Sequence, residues 1–145
     1  MTGGSAAYRR VEVETASPER LVVMLYNGAI QRVEQGKLAI AAGDLRKTHE
    51  HLLVAQEIIT ELRSALDLSA GEVAHNLNKV YEYLHYLLVQ GNMKKDAKPL
   101  DECLEHLRGL RDAWAEVCAQ SARSAAPTAA PAHNVLGHIA VNIES

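Results

Sequence analysis

Phenylalanine is absent from this 145-residue chain and tryptophan occurs once. The core must therefore be aliphatic, built mainly from leucine. Only two cysteines are present, Cys103 and Cys118. They fall within one predicted helix, where a rise of ~1.5 Å per residue sets their Cα atoms ~22 Å apart, against the roughly 4.4–6.8 Å a disulfide needs. With no CxxC and no metal-ligand spacing, they read as small, partly buried hydrophobes of a cytosolic protein. No apolar run approaches ~18 residues, so no transmembrane helix is expected. Met1-Thr-Gly-Gly-Ser5 has neither a basic nor an apolar leader pattern, so no secretory signal is expected. Neither sign of charge dominates: the formal net charge of −3 removes the basic footprint of a general nucleic-acid binder.

What is present divides the chain into three zones. Residues 1–16 form an arm in which Tyr8-Arg-Arg-Val11-Glu-Val13-Glu14 alternates apolar with charged, a period that suits extended chain. Residues 17–120 carry helical periodicity throughout. Residues 121–145 are an Ala/Pro linker followed by a short apolar tail.

Four helices can be delimited. Ser17 with Pro18 opens the first, whose apolar positions include Leu21, Leu25, Ala29, Val33 and Ile40, and Gly43 ends it. Asp44 caps the second, with Leu45, Leu52, Ile59, Leu62 and Leu66 on its buried face and a stop near Asp67. Ser69-Ala-Gly-Glu72 reads as a capping box for the third, which buries Val73, Leu77, Val80, Leu84 and Leu88 and frays near Gly91. The fourth begins near Pro99 and runs through Leu100, Cys103, Leu104, Leu107, Leu110, Trp114 and Val117 to about Gln120. Connections this short force antiparallel neighbours. The expected fold is all-α: an antiparallel up-down-up-down four-helix bundle with an extended N-terminal arm and a flexible C-terminal tail.

Such bundles can house two metals between Glu-x-x-His pairs on separate helices. Glu72-Val-Ala-His75 and Glu82-Tyr-Leu-His85 share one helix, and ten residues at ~100° each turn them to different faces. Thr48-His49-Glu50-His51 is not the zinc-protease motif, since its histidines are two apart. No Ser or Cys nucleophile has an assignable partner. The expectation is no enzyme, no catalytic residue, no metal and no cofactor, with a structural or metal-binding bundle as the alternative.

A binding surface has more support. The first helix carries a second apolar stripe, Val22, Tyr26 and Ile30, with Val23 and Met24 beside it. The third presents Tyr81, Tyr83 and Tyr86 at mixed angles, so not all three can face the core. Extra apolar width on two helices suits a groove that receives a helix.

Thr15-Ala-Ser-Pro-Glu-Arg-Leu21 followed by Met24-Leu-Tyr-Asn-Gly-Ala-Ile30 resembles the N-terminal signature of the flagellin-specific export chaperones, the FliS family. Ala55-Gln-Glu-Ile-Ile-Thr-Glu-Leu62 resembles the family's second helix. Asn76-Leu, Val80-Tyr-Glu-Tyr-Leu84, Leu88-Val and Asn92-Met-Lys-Lys-Asp96 resemble its third, and Leu100-Asp-Glu with Leu110-Arg-Asp-Ala-Trp114 its fourth. The likeness spans roughly residues 8–119. Asn27 stands where many members carry Asp, and the tail after 120 is not shared.

The resemblance implies a cytosolic, non-enzymatic chaperone that holds the C-terminal region of flagellin, prevents premature polymerisation and supports flagellar type III export. Docking of export-apparatus proteins is a further implied partnership; nucleic acid and membrane insertion are not. Expected client contacts are Leu25, Tyr26, Ala29 and Ile30 on the first helix, Gln56 and Ile59 on the second and Tyr83 on the third. Tyr26→Asp should then weaken client binding while leaving the bundle folded. Tyr8, Val11 and Val13 of the arm would cover the empty groove. Ala130-Pro-Ala-His-Asn-Val-Leu-Gly-His-Ile139 resembles the end of many flagellins, so Val135, Leu136 and Ile139 are candidates for a tethered imitation of the client.

Overall fold

The Ser17 hydroxyl accepts a hydrogen bond from the Arg20 amide at 3.2 Å, and Pro18 follows in the first helical turn, so α1 (Pro18–Ala41) starts where an orphan amide finds its partner. Gly43, at φ 72°, makes the left-handed turn that ends it. Asp44 then caps α2 (Leu45–Ser64) by accepting from the Lys47 amide at 3.0 Å. A 3-10 turn (Leu68–Ala70) leads to α3 (Glu72–Lys94), and α4 (Ala97–Ser124) completes the order. The computed structural model describes residues 16–124, and among them there is no strand.

Three local expectations are corrected. Ser69 does not cap α3: Asp67 takes both the Ser69 amide, at 3.0 Å, and its hydroxyl, at 2.5 Å, and the residue before α3 is Gly71, at φ 112°. An aspartate two residues away captures the hydroxyl before the helix can use it. The third helix does not fray at Gly91 but runs to Lys94, because Gly91 is packed under the next helix. The fourth extends to Ser124, past the expected start of the linker at 121.

α1 and α3 each pack against both α2 and α4, giving the antiparallel four-helix bundle. The core comprises Val33, Leu52, Leu62, Leu77, Leu84, Leu88, Leu100, Leu107 and Trp114 with their neighbours. On α1 the buried midline is Val22, Tyr26, Ala29, Ile30 and Val33, while Leu21, Leu25 and Ile40 are only half-buried. The supposed second stripe is the core face. A helix that packs two neighbours and faces a third buries a wide arc, and only tertiary contact fixes its centre. Leu45, expected inside, is exposed at the rim where α2 begins.

Gly91 fixes how closely the last two helices approach. Lys95 takes a left-handed conformation (φ 48°) and the Asp96 amide bonds back to the Gly91 carbonyl at 3.1 Å, turning α4 across α3. A Cβ at position 91 would lie 2.5 Å from Leu100 Cδ2, 2.8 Å from its Cγ and 3.3 Å from the Asp96 carbonyl oxygen. Leu100 is fully buried and has no room to swing away. Gly91→Ala should therefore destabilise by about 1–3 kcal/mol through overpacking, less whatever alanine returns as a better helix former. Urea unfolding checks it; an unchanged midpoint would mean that the two helices separate freely.

Candidate interaction surfaces

The polar pair at the centre of the bundle joins diagonal helices. Tyr26 on α1 and Tyr81 on α3 are fully buried, with their hydroxyls 2.5 Å apart. Burial pushes the Tyr26 hydroxyl up to about 12, though its bond to Tyr81 pulls the other way; burial likewise holds Tyr81 well above its ordinary value, reinforced by Tyr26. The unfolded chain would ionise both near 10. Their linked contribution is thus fully present below about pH 10 and is lost as pH rises toward 12. Tyr26→Phe alone should cost about 1–3 kcal/mol by orphaning the Tyr81 hydroxyl, while Tyr26→Phe with Tyr81→Phe should cost less than the two singles combined. The double variant should also melt with a flatter alkaline limb. Strict additivity in calorimetry would show that the two hydroxyls do not act as a pair.

The expected client contacts differ in exposure. Tyr26, Ala29, Ile30 and Ile59 are interior, so the extra apolar width expected on α1 is core packing, a correction to the second stripe. Leu25 and Gln56 are half-buried, and Tyr83 is exposed. The arm residues Tyr8, Val11 and Val13 and the tail residues Val135, Leu136 and Ile139 lie outside the described residues.

Two surface features emerge instead. On α3 and α4 Tyr83 stacks on Tyr86 with ring centroids 6.2 Å apart and meets the His106 ring edge-on at 5.9 Å. The Tyr83 hydroxyl donates to Glu102, which raises its pKa, and Glu102 also lies 3.5 Å from His106. Beside this aromatic shelf is a cleft of about 340 Å³ floored by Leu87 and Pro99 and edged by Lys94, Asp96 and Lys98. The second feature is a larger, more apolar cleft of about 560 Å³ between α1 and α4, lined by Leu38, Ile40, Ala41, Ala97 and Leu104. Its charged wall residues are already paired across it: Glu34 with Arg108 at 2.7 Å, and Lys37 with Asp101. Leu38, 71% exposed, is the most accessible of the cleft's large apolar side chains. It escaped the sequence reading because it lies off the periodic core stripe, and that displacement was the available signal.

Among the described residues the two Glu-x-x-His pairs form no metal cluster. Glu72, His75, Glu82 and His85 are all exposed, and Glu82 is engaged by Arg63 at 2.6 Å. Among the described residues no three His, Cys, Asp or Glu come together as a metal site. Burial raises the Cys103 thiol to about 12, with Glu102 adding to it, and burial also raises Cys118, so neither is a ready thiolate at neutral pH. Both are free cysteines, as their spacing required. No described helix is long and apolar enough to cross a membrane.

The sequence pattern of the family described as "Flagellar protein FliS" matches residues 1–121. The chain belongs to the FliS family. It is 37% identical over 122 residues to the flagellar secretion chaperone FliS of Vibrio cholerae, covering 81% of this chain and 90% of that protein. Against the flagellar secretion chaperone FliS of Bacillus subtilis the identity is 36% over 108 residues, covering 74% and 80%. Against that of Salmonella typhimurium it is 34% over 120 residues, covering 79% and 89%. The FliS match takes in the arm and nearly all of the bundle and leaves residues 122–145 outside it. Of its signature segments, Val80-Tyr-Glu-Tyr-Leu84 sends Tyr81 inward and Tyr83 outward. Asn27, the departure on α1, accepts a hydrogen bond from Arg111 at 3.3 Å.

Proposed function

We propose that this FliS-family chain is a flagellar export chaperone of the cytosol. It binds the C-terminal region of flagellin, keeps it from polymerising prematurely and releases it for export, by binding rather than by covalent chemistry. The observation that carries this reading is the family match across 1–121, whose relatives bear the name flagellar secretion chaperone. The physical ground is that an amphipathic client helix leaves its apolar face in water until a neighbour covers it. A bundle with apolar clefts replaces that neighbour.

The contact surface on this chain comprises Tyr83, Leu25 and Gln56, with Tyr26, Ala29, Ile30 and Ile59 supporting it from inside. The arm, through Tyr8, Val11 and Val13, covers the empty site and moves aside for the client. The export apparatus is the second partner.

The test is titration of the full chain with a peptide of the flagellin C-terminal region, by calorimetry and size exclusion. A 1:1 complex is expected. Tyr83→Asp should weaken it by about tenfold or more, equivalent to ~1.4 kcal/mol, with helicity unchanged because Tyr83 is exposed. No complex with either the peptide or whole flagellin sinks the reading; a complex indifferent to Tyr83→Asp moves the client off the aromatic shelf.

A further inference from the structure

We infer that the α1–α4 cleft is the docking site of residues 133–145 of the same chain. The cleft commits to an uncharged occupant. Its apolar lining is Leu38, Ile40, Ala41, Ala97 and Leu104, and its charged lining residues are already paired, Glu34 with Arg108 and Lys37 with Asp101 beside the cleft. A charged guest would enter without a partner, and burying an unpaired charge is costly. The α3–α4 cleft, edged by Lys94, Lys98 and Asp96, has a different chemistry.

Residues 133–145 fit that requirement, with Glu144 their one Lys, Arg, Asp or Glu. If helical, Val135, Ile139 and Ile143 recur every four residues, and with Leu136 and Ala140 they fall within an arc of ~140°. That is one apolar face with no charge on it.

The distances agree. Leu104 lies twenty residues before the end of α4 at Ser124, or ~30 Å back along the helix axis. From Ser124 to Val135 the chain has eleven residues, including Pro127 and Pro131, and a proline-rich segment at ~3.1 Å per residue spans ~34 Å. Val135 is thereby delivered level with Leu104. Residues 135–143 as a helix are ~13 Å long, against ~10 Å from Leu104 to Ala97. Proline restricts the chain before docking and so lowers the entropy that docking would cost, while reach alone decides whether docking is possible. Docking in cis needs no client, and its test does not involve one.

The experiment is amide NMR on the full chain, comparing wild type with Leu136→Asp and Ile139→Asp. Both substitutions should shift Leu38, Ala41, Ala97, Leu104 and Arg108 while leaving Tyr83 and Tyr86 in place. Leu38→Asp, at an exposed position, should in turn send the amides of 135–143 to random-coil values. Deleting residues 126–129 leaves the apolar segment intact but ~12 Å short, and should copy Leu136→Asp. Replacing the same four residues by Gly-Ser-Gly-Ser should preserve docking. Shifts confined to the tail, shifts centred on the Tyr83 cleft, indifference to the deletion, or concentration-dependent shifts marking a second copy as the occupant would each overturn the inference.

Discussion

Tyr26→Asp should unfold the bundle at neutral pH. The side chain is fully buried at the centre of the core, so the substitution acts three times. Removing a buried aromatic costs about 3–5 kcal/mol. The Tyr81 hydroxyl, 2.5 Å away in the native protein, loses its partner, adding about 1–3 kcal/mol. The new carboxylate has no cation among the core side chains around it, and desolvation adds several kcal/mol more. Together these approach or exceed the roughly 5–15 kcal/mol that a domain of this size has to lose. The pH dependence distinguishes the charge from the cavity. A buried Asp has a folded pKa above its unfolded value near 3.9, so its penalty is absent below that value and grows as pH rises through the folded one. Tyr26→Asp should therefore regain helicity toward about pH 5, relative to Tyr26→Asn, which cannot ionise. Circular dichroism across that range settles it. A folded Tyr26→Asp at neutral pH would put Tyr26 back at the surface, where the sequence alone had suggested a client contact.

That reversal shows what a sequence carries and where it stops. Capping by Ser17 and Asp44 was legible because the donor and acceptor lie three residues apart and no other group competes. The same logic fails at Ser69, since Asp67 is nearer. Helical periodicity along α1 was legible, but its phase was not. Leu21 and Val22, or Leu25 and Tyr26, are adjacent apolar pairs separated by ~100°, and either member could lead. The choice is made by Tyr81, fifty-five residues away, whose hydroxyl is the one buried partner the Tyr26 hydroxyl meets. The exposure of Tyr83 was legible, because two residues further along α3 it must turn away from Tyr81. The clefts themselves were not legible: Leu38 and Leu104, or Tyr83 and Pro99, become neighbours only when helices distant in sequence close on each other.

The lone tryptophan should carry the next-largest effect. Trp114 is fully buried on α4, and its indole N–H donates to the Glu19 carbonyl in the first turn of α1 at 2.5 Å. One side chain thus fills the base of the core and ties the last helix to the start of the first. Trp114→Ala should lose about 3–5 kcal/mol, since the cavity lies among helices that close only partly around it. Trp114→Phe keeps most of the volume and gives up chiefly the hydrogen bond, which costs about 1 kcal/mol on average. The spread between the two measures packing against polar tethering. Both clefts lie elsewhere: Glu34 is fifteen residues, or ~22 Å, along α1 from Glu19. Client affinity of Trp114→Phe should accordingly match wild type even though its urea midpoint falls. If affinity falls in proportion to stability, the base of the bundle and the clefts are one cooperative unit, and binding at the far end draws on the packing around Trp114.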